Sequence, residues 1–228
     1  MKQKTYIETG VLFEVIGTGE VFHSFRDLNL ILAPFVMPPA KPKTSLLEIE
    51  GMDGSLDLTE ANGETKYYDR EPQFTFTVFP GDDLSFEERQ TAVSNALNGQ
   101  RCKITLDKDA DYYWIGRCTV NEYLCDRRLC QIVITATVAP YKLLQTETIV
   151  SFELSDTEQS VILENRRKAV VPVITCTDET TITFGDVTKT LTEAGTYKVL
   201  DFQLKQGNNT FTLSGNGEVT FTYQEGDL

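Results

Sequence analysis

The sequence predicts a mainly β protein with two consecutive domains: an N-terminal β-sandwich-like domain with one helix, and a small C-terminal β-sandwich. Large and polar side chains alternate in runs such as residues 73–79, as in strands with one buried face. Turn sequences recur about every ten residues beyond Asn165, a spacing typical of sandwiches and jelly rolls. A single helical pattern follows the capping box formed by Ser85 and Glu88.

The first strands are predicted around a hairpin turn at residues 51–54. Leu56 and Leu58 then alternate with polar residues, so we expect a half-buried strand. Asn62 and Gly63 predict a second turn, and residues 73–79 the next strand of an antiparallel meander. We expect Gly54 to have a positive φ, so Gly54→Val should reduce the yield of soluble protein.

The helix is predicted to begin at the capping box and to end at Asn98 and Gly99. One of its faces is apolar, and this face consists of Phe86, Val93, Ala96 and Leu97. Strands are then predicted over residues 101–106, 112–120 and 132–139. The second of these carries the only tryptophan, Trp114.

A domain boundary is predicted between Tyr141 and Val150, which gives domains of residues 1–145 and 146–228. Pro140 and Tyr141 end the preceding strand, and the turn sequences change beyond them. Turns are expected, among other places, at Gly185 and at residues 206–209 and 215–217. Strands are expected over 170–176, 180–184, 196–204, 209–214 and 218–223.

Charge and hydropathy exclude several function classes. The formal net charge is -13 and the pI about 4.6, which argues against recognition of nucleic-acid phosphates. The basic groups at 127–128 and 166–168 are interpreted as solvated edges. The sequence has no stretch of the ~20 apolar residues that a spanning helix needs, and its first residues lack a signal-peptide pattern. We therefore expect neither membrane insertion nor secretion.

The cysteine pattern favours free thiols. Five cysteines, an odd number, are spread over strand-like segments, unlike the dense even set of a secreted scaffold. Cys125 and Cys130 could face each other across a hairpin, which leaves a disulfide as the alternative. With one histidine in the chain the zinc-ligand set is poor, so we expect no bound metal and no other cofactor. The cysteines are Cys102, Cys118, Cys125, Cys130 and Cys176.

The sequence favours a protein that is not an enzyme. It contains no nucleophile elbow, zinc-protease motif, phosphate loop or dinucleotide fingerprint. Any Ser-His-Asp site would have to use His23, whose alternating segment is typical of a partly buried or interface histidine. A glycosidase-type carboxylate pair stays open, because acidic residues are abundant. Asp107, Asp109 and Asp111 suggest a calcium site, but the EF-hand glycine and glutamate are missing, so a solvated hairpin tip is preferred.

Three ordered segments carry a resemblance to a known family. They are EIEGMDGSLDLTE at 48–60, ALNGQRCKITLDKDADYYWIGRCTV at 96–120 and VAPYK at 138–142. In this order and spacing they resemble the distal tail proteins (Dit, or phage tail component proteins) of siphophages, over about two-thirds of the chain. Asn98 departs from the histidine that many relatives have there. The matching positions are Gly51, Asp53, Gly54, Asp57, Leu58, Thr59, Arg70, Leu97, Gly99, Gly116, Arg117, Pro140 and Tyr141.

The resemblance implies a structural role, with no catalytic, cofactor-binding or metal-binding residues. In this family the N-terminal domain closes into a hexameric ring around the tail channel, and a galectin-like C-terminal sandwich projects outward. The implied partners are further copies in a homo-hexamer, the tail tube protein, the tail-tip or tail-associated lysin protein and a receptor-binding protein. The implied location is the virion tail tip, after assembly in the bacterial host cytoplasm, and DNA would pass through without specific binding.

A carbohydrate-binding adhesion protein is the alternative function. The sugar would bind to the C-terminal sandwich through Tyr197, Phe202 or Tyr223. Alternating aromatic residues in strands are more often part of a core than of a binding platform, so the structural role is preferred.

Overall fold

The computed structural model describes residues 9–35, 37–61, 63–78, 85–121, 124–126 and 129–228. The protein is mainly β, as predicted, and its strands are antiparallel. The chain divides into two compact units, Met1–Lys142 and Leu143–Leu228. Whether each unit folds independently stays a prediction. Within the described ranges no helix is long and apolar enough to cross a membrane.

The first unit is built on one antiparallel sheet. Its elements are β1 (Val11–Val15), β2 (Val21–His23), α1 (Ser24–Leu28), β3 (Ile31–Leu32), β4 (Leu46–Glu48), β5 (Ser55–Asp57), β6 (Gln73–Val78), α2 (Phe86–Leu97), β7 (Arg101–Leu106), β8 (Tyr112–Val120), β9 (Leu124–Asp126) and β10 (Leu129–Val138), and β11 (Lys142–Leu144) lies at the division. Along the main path of the sheet the strand order is β2-β1-β7-β8-β10-β6-β3.

The core of the first unit lies on one face of this sheet. Alternate residues of the strands are fully buried there, for example Phe13, Phe74 and Ile134. The helix α2 adds Val93 and Leu97 to the same core, as its apolar stripe predicts. The other face of the sheet carries the intervening, more polar side chains, because neighbouring residues of a strand point to opposite faces.

The predicted capping box is confirmed. The Ser85 hydroxyl accepts from the amide of Glu88 at 3.2 Å, and the Glu88 carboxylate accepts from the Ser85 amide at 2.8 Å. Gly99, just beyond α2, has a φ of 76°, which supports the predicted stop. The expectation of a single helix is wrong, because the five-residue α1 precedes it. The His23 side chain caps α1 at its start, and histidine is not among the residues that usually predict an N-cap.

The predicted strand at Leu56 is confirmed in position but wrong in burial. β4 and β5 pair with each other as a separate two-stranded ribbon, with Leu47 opposite Leu56, and every residue of both strands is exposed. Alternation reveals an apolar face, but not whether the same chain covers it. Gly51 and Gly54 have positive φ, 86° and 78°, as the turn requires. Of the other predicted positions here, Asn62 and Phe79 lie outside the described residues.

The second unit is organised by one long strand, β18 (Gly207–Tyr223). The other strands are β12 (Thr148–Ser155), β13 (Gln159–Asn165), β14 (Val173–Cys176), β15 (Thr180–Phe184), β16 (Val187–Leu191), β17 (Gly195–Tyr197) and β19 (Gly226–Asp227). β13 and β15 pair with the first half of β18, and β12 and β14 pair with its second half. Both groups share one core around Phe211 and Phe221, so β18 carries the chain between the two layers of the sandwich.

The predicted turn at residues 215–217 is therefore wrong. Gly215 and Gly217 have positive φ, 132° and 81°, but the strand pairing continues through them. A strand that changes sheets needs a bend, and glycine supplies it without reversing the chain. The strand predicted over 196–204 is reduced to β17. The strands β12, β13 and β16 were not predicted individually.

Candidate functional surfaces

His23 is a buried structural residue. Its Nδ1 accepts from the amide of Arg26 at 3.0 Å, so Nε2 carries a proton that points to the Asp107 carboxylate at 3.2 Å. Its neighbour Ser24 uses its hydroxyl to accept from the Val11 amide. Neither ring nitrogen is placed to take a proton from a nucleophile. The histidine instead joins the start of α1 to the end of β7.

Two carboxylates of the acidic turn after β7, those of Asp107 and Asp109, have separate partners. Asp107 binds His23 and accepts from the Gly10 amide at 2.9 Å, while Asp109 accepts from the Lys142 ammonium at 2.7 Å. Among the residues that the structure describes, no group of three His, Cys, Asp or Glu side chains is placed to hold a metal ion. The turn therefore has a structural role: it binds Gly10, His23 and Lys142 at the end of the sheet.

The expectation of five free thiols is wrong. Cys125 and Cys130 lie opposite each other in the hairpin of β9 and β10 and form a disulfide. Cys102, Cys118 and Cys176 are free and buried. The thiols of Cys102 and Cys118 share a hydrogen bond, which lowers the pKa of Cys102 and raises that of Cys118. Spacing alone suggested the bridge but could not decide it, because the facing register is a property of the folded hairpin.

Arg166, in the basic group at residues 166–168, is paired with acidic side chains of the second unit. Arg166 contacts the carboxylates of Glu225 and Asp227, at 3.6 and 3.0 Å, and Arg167 donates to Gln206. Burial lowers the pKa of Lys168. The charge of Arg166 is thus balanced by two carboxylates, as expected for a solvated edge rather than a phosphate site. The other basic pair, residues 127–128, lies outside the described residues.

The aromatic residues proposed for sugar binding do not form an exposed platform. Phe202 and Tyr223 are buried in the core of the second unit, and the Tyr223 hydroxyl donates to the Glu164 carbonyl. Tyr197 is half-buried, and its hydroxyl donates to the Glu193 carbonyl. The second unit does have an open polar cleft of about 370 Å³, which sequence reasoning missed. Its lining is Asp156, Asp178, Glu179, Thr181, Ser214, Gly215 and Asn216.

Several of the family-matching positions have visible structural roles. Gly116 faces the backbone of β10 so closely that a Cβ would lie 2.4 Å from the Thr137 carbonyl oxygen. Arg117 donates to the Gly99 carbonyl at the end of α2. The backbone of Arg70 pairs with Val138 where the chain re-enters the sheet, and burial lowers the pKa of its side chain. These contacts give the three positions structural roles in the first unit.

The ribbon of β4 and β5, with its flanks, carries a group of exposed apolar side chains in the first unit. We call residues 45–60 the arm. Leu47 and Leu56 face each other across it, and by alternation Ile49 and Leu58 share their face. These four side chains are between 39% and 49% exposed. Contiguous exposed apolar surface of this kind marks interaction sites.

The polar face of the main sheet carries a second unusual feature at one end. Arg101 on β7 lies directly opposite Arg117 on β8, and Arg117 lies opposite Thr137 on β10. The amide of Ile16 donates to the Arg101 carbonyl, which continues the row beyond β1. We call Ile16, Arg101, Arg117 and Thr137 the basic row. All four side chains are exposed.

The fold as a whole is similar to that of the distal tail protein of phage SPP1. The two structures superpose with a TM-score of 0.66 and 16% sequence identity, over 96% of this chain and 99% of that chain. The chain has a Dit fold. That protein is described as a paradigm of the hub adsorption apparatus in phages that infect Gram-positive bacteria. The likeness confirms, at the level of fold, the resemblance carried by the three segments. No protein-family model matches the chain, and no curated protein matches its sequence.

Proposed function

We propose that this chain is a structural distal tail protein of a long-tailed phage or prophage. The similarity of fold to the SPP1 protein carries the proposal, since it extends over nearly the whole of both chains. A fold by itself does not fix a function. Here, however, the ordered segments at 48–60, 96–120 and 138–142 point independently to the same class of protein.

The proposed assembly is a hexameric ring formed by the first unit. The ring would join the tail tube to the tail-tip or lysin protein and to the receptor-binding apparatus. Head-to-tail contacts that close on themselves make rings, and the first unit has two different exposed surfaces, the arm and the basic row, that suit such contacts. The expected location is the tail tip of the virion, after assembly in the host cytoplasm.

The acidic composition is compatible with a DNA conduit. A net charge of -13 gives weak repulsion of phosphates, so DNA passing through a central channel would not be held. An acidic surface also promotes solubility, so the charge supports the proposal without carrying it.

The proposed role involves no catalysis. The one histidine is engaged at both ring nitrogens by Arg26 and Asp107, which removes the base that a serine or cysteine nucleophile would use. Part of the acidic turn is committed too, because Asp107 and Asp109 already have partners.

Electron microscopy of phage tails that contain an epitope-tagged copy of the chain tests the proposal. The expected result is label confined to the distal end of the tail, at a six-fold ring with a central hole. Mass photometry of the purified chain at rising concentration provides the companion measurement. Tails without label, together with a purified chain that forms only a stable dimer, would refute the proposed distal tail role.

The polar cleft is the one observation that favours a second function, adhesion to carbohydrate. Hydroxyl, amide and carboxylate groups line it, and such groups bind sugar hydroxyls, but the structure supplies no exposed aromatic platform from Tyr197, Phe202 or Tyr223. A glycan array probed with the full chain tests this. Specific binding that Asn216→Ala abolishes would support adhesion, and an empty array would leave the structural role alone.

A further inference from the structure

The disulfide between Cys125 and Cys130 closes one end of a hairpin. β9 follows β8 along the chain, and both strands pair with β10. β9 does so through three residue pairs, one of which is Cys125 opposite Cys130. Within the part of the chain that the structure describes, β10 is the only strand that pairs with β9. A strand with so few contacts has low local stability, so the order of β9 depends on the disulfide.

The two cysteines of this bond differ in their access to solvent. Cys125 is exposed, whereas Cys130 is half-buried. Cys130 packs against the core of the first unit and lies opposite the buried Val78 on β6. Thiol–disulfide exchange begins when a thiolate attacks one of the two sulfur atoms, and its rate depends on which sulfur is within reach. A small thiol in solution therefore reaches the Cys125 Sγ more readily than the Cys130 Sγ.

The remaining cysteines do not compete for this reaction. Cys102, Cys118 and Cys176 are free thiols, and their residues are 0%, 0% and 2% exposed. A cysteine reacts as its thiolate and only where the other reactant has access to it. Cys125 is thus the one exposed cysteine of the five, all of which the structure describes.

The redox state of the surroundings decides whether an accessible disulfide stays closed. Thiol pools such as glutathione keep accessible cysteines reduced in a cytosol, and oxidising surroundings favour disulfides. Exposed disulfides are more easily reduced than buried ones and are the labile or regulatory class. The exposure of Cys125 therefore indicates a bond that opens and closes, rather than a permanent cross-link.

We propose that Cys125 is a site of reversible thiol–disulfide exchange with a small thiol of the glutathione class. In the first step a glutathione thiolate attacks the Cys125 Sγ and forms a mixed disulfide. The bond to Cys130 breaks, and the Cys130 Sγ leaves with the electron pair and takes up a proton. The exchange site does not rest on the distal tail role, because it follows from the hairpin alone.

A second glutathione completes the reduction. Its thiolate attacks the glutathione sulfur of the mixed disulfide, which forms oxidised glutathione and releases the Cys125 thiolate. The protein thereby gains two electrons, and two glutathione molecules are oxidised to one disulfide. The reverse sequence, in which oxidised glutathione first reacts with Cys125 and Cys130 then displaces glutathione, closes the hairpin.

Opening the bond should loosen β9 without unfolding the first unit. The two cysteines are five residues apart in sequence, and the stabilisation that a disulfide gives by restricting the unfolded chain is smallest for short loops. The core of the first unit does not depend on β9, because its buried residues lie on the other strands and on α2. The effect of the bond is therefore local.

Single-cysteine variants of the full chain test the site of exchange. Cys130→Ser leaves Cys125 without its partner, and Cys125→Ser leaves Cys130. With oxidised glutathione, Cys130→Ser should gain one glutathionyl group, located on Cys125 by peptide mass mapping, about tenfold faster than Cys125→Ser gains one. The control Cys125→Ser with Cys130→Ser should gain none, since the three remaining thiols are buried.

The parent chain tests reversibility without any substitution. It is equilibrated in buffers of stepped ratios of reduced to oxidised glutathione, and its thiols are labelled after denaturation. The count should change between three free thiols with the bond closed and five with it open, in both directions. Hydrogen exchange of the β9 amides should accelerate on opening, while the core amides stay protected. The doubly substituted control should match the opened parent and ignore the buffer.

Three outcomes would overturn the inference. They are equal rates of glutathionylation in the two single variants, a parent chain that keeps three free thiols at the most reducing ratio, and β9 amides whose exchange does not change when the bond opens. None of them bears on the distal tail role, which depends on the location of the tagged chain in the tail.

Discussion

Two glycine clusters, at residues 51–54 and 215–217, look alike in sequence and do opposite things in the structure. Both contain two glycines with positive φ, and both were predicted as turns. The first closes the ribbon of β4 and β5, where a Cβ on Gly51 or Gly54 would meet no atom within 4 Å. The second lies inside β18, where a Cβ on Gly215 would lie 2.4 Å from the Glu179 carbonyl oxygen.

The difference shows that a position can require glycine for two separate physical reasons. In the arm the residue is required only by its backbone angles. In the sandwich it is required by its angles and by the closeness of another strand. The first reason is local and the second is tertiary, so substitutions at the two places should differ in size and in reach.

Gly215→Val should have the largest effect. Backbone strain of about 1–3 kcal/mol adds to overpacking of about 1–3 kcal/mol, because the blocking atom belongs to the backbone. Unfolding in urea should be followed by two probes, since the only tryptophan, Trp114, lies in the first unit. Far-UV circular dichroism should show a transition moved to lower urea, while Trp114 fluorescence keeps its midpoint. Parallel shifts of both probes would show that the units unfold together.

Gly54→Val should cost less and act locally. The backbone strain is about 1–3 kcal/mol, and no overpacking is added because the space around Gly54 is open. We therefore expect the substitution to loosen the arm rather than to prevent the chain from folding. Hydrogen exchange of the arm amides should accelerate while the core amides stay protected. Gly17→Val is the matched control, because Gly17 also has open space around it but no positive φ. A rise in exchange throughout the first unit would contradict a local effect.

Tyr223 should give the sandwich a distinct response to alkaline pH. Burial, with added repulsion from Glu225 and Glu164, raises the pKa of Tyr223 from 10.0 to about 12. A raised folded pKa means that this contribution to stability is complete below pH 10.0 and is lost as the pH rises towards 12. Absorbance at the tyrosinate band should show one late titration that is missing from Tyr223→Phe. Identical titration curves for the parent chain and Tyr223→Phe would show that the pKa of Tyr223 is not raised.

Asp57 in the arm should show the smallest effect, at acid pH. Hydrogen bonds from Thr59 lower the pKa of Asp57 below 3.8, so its contribution is present above that value and is lost as the pH falls through the folded pKa. The carboxylate is exposed, so Asp57→Asn should leave the unfolding midpoint of the whole chain unchanged. The Thr59 amide resonance should titrate below pH 3.8 in the parent chain and not at all in Asp57→Asn. A titration midpoint at or above pH 3.8 would show that the hydrogen bonds from Thr59 do not lower the pKa of Asp57.

Local sequence patterns determined much of the first unit. The bounds of β7 and β8 agree with the predicted 101–106 and 112–120, and the capping box and Gly99 fix both ends of α2. These features depend on side-chain alternation and on backbone groups a few residues apart, which a sequence displays directly. The ordered segments also identified the fold, which the similarity to the SPP1 protein confirms.

Only the tertiary structure decided which parts of the chain each predicted element contacts. Alternation at Leu56 predicted a strand but not its exposure, because covering an apolar face is a contact between distant residues. The glycines at 215 and 217 indicated unusual backbone angles. A turn and a bend between two sheets both require such angles, so the sequence could not distinguish them. Likewise, the pairing of Cys125 with Cys130 and of Arg101 with Arg117 follows from strand register, which is set by the packing of whole strands rather than by residues near in sequence.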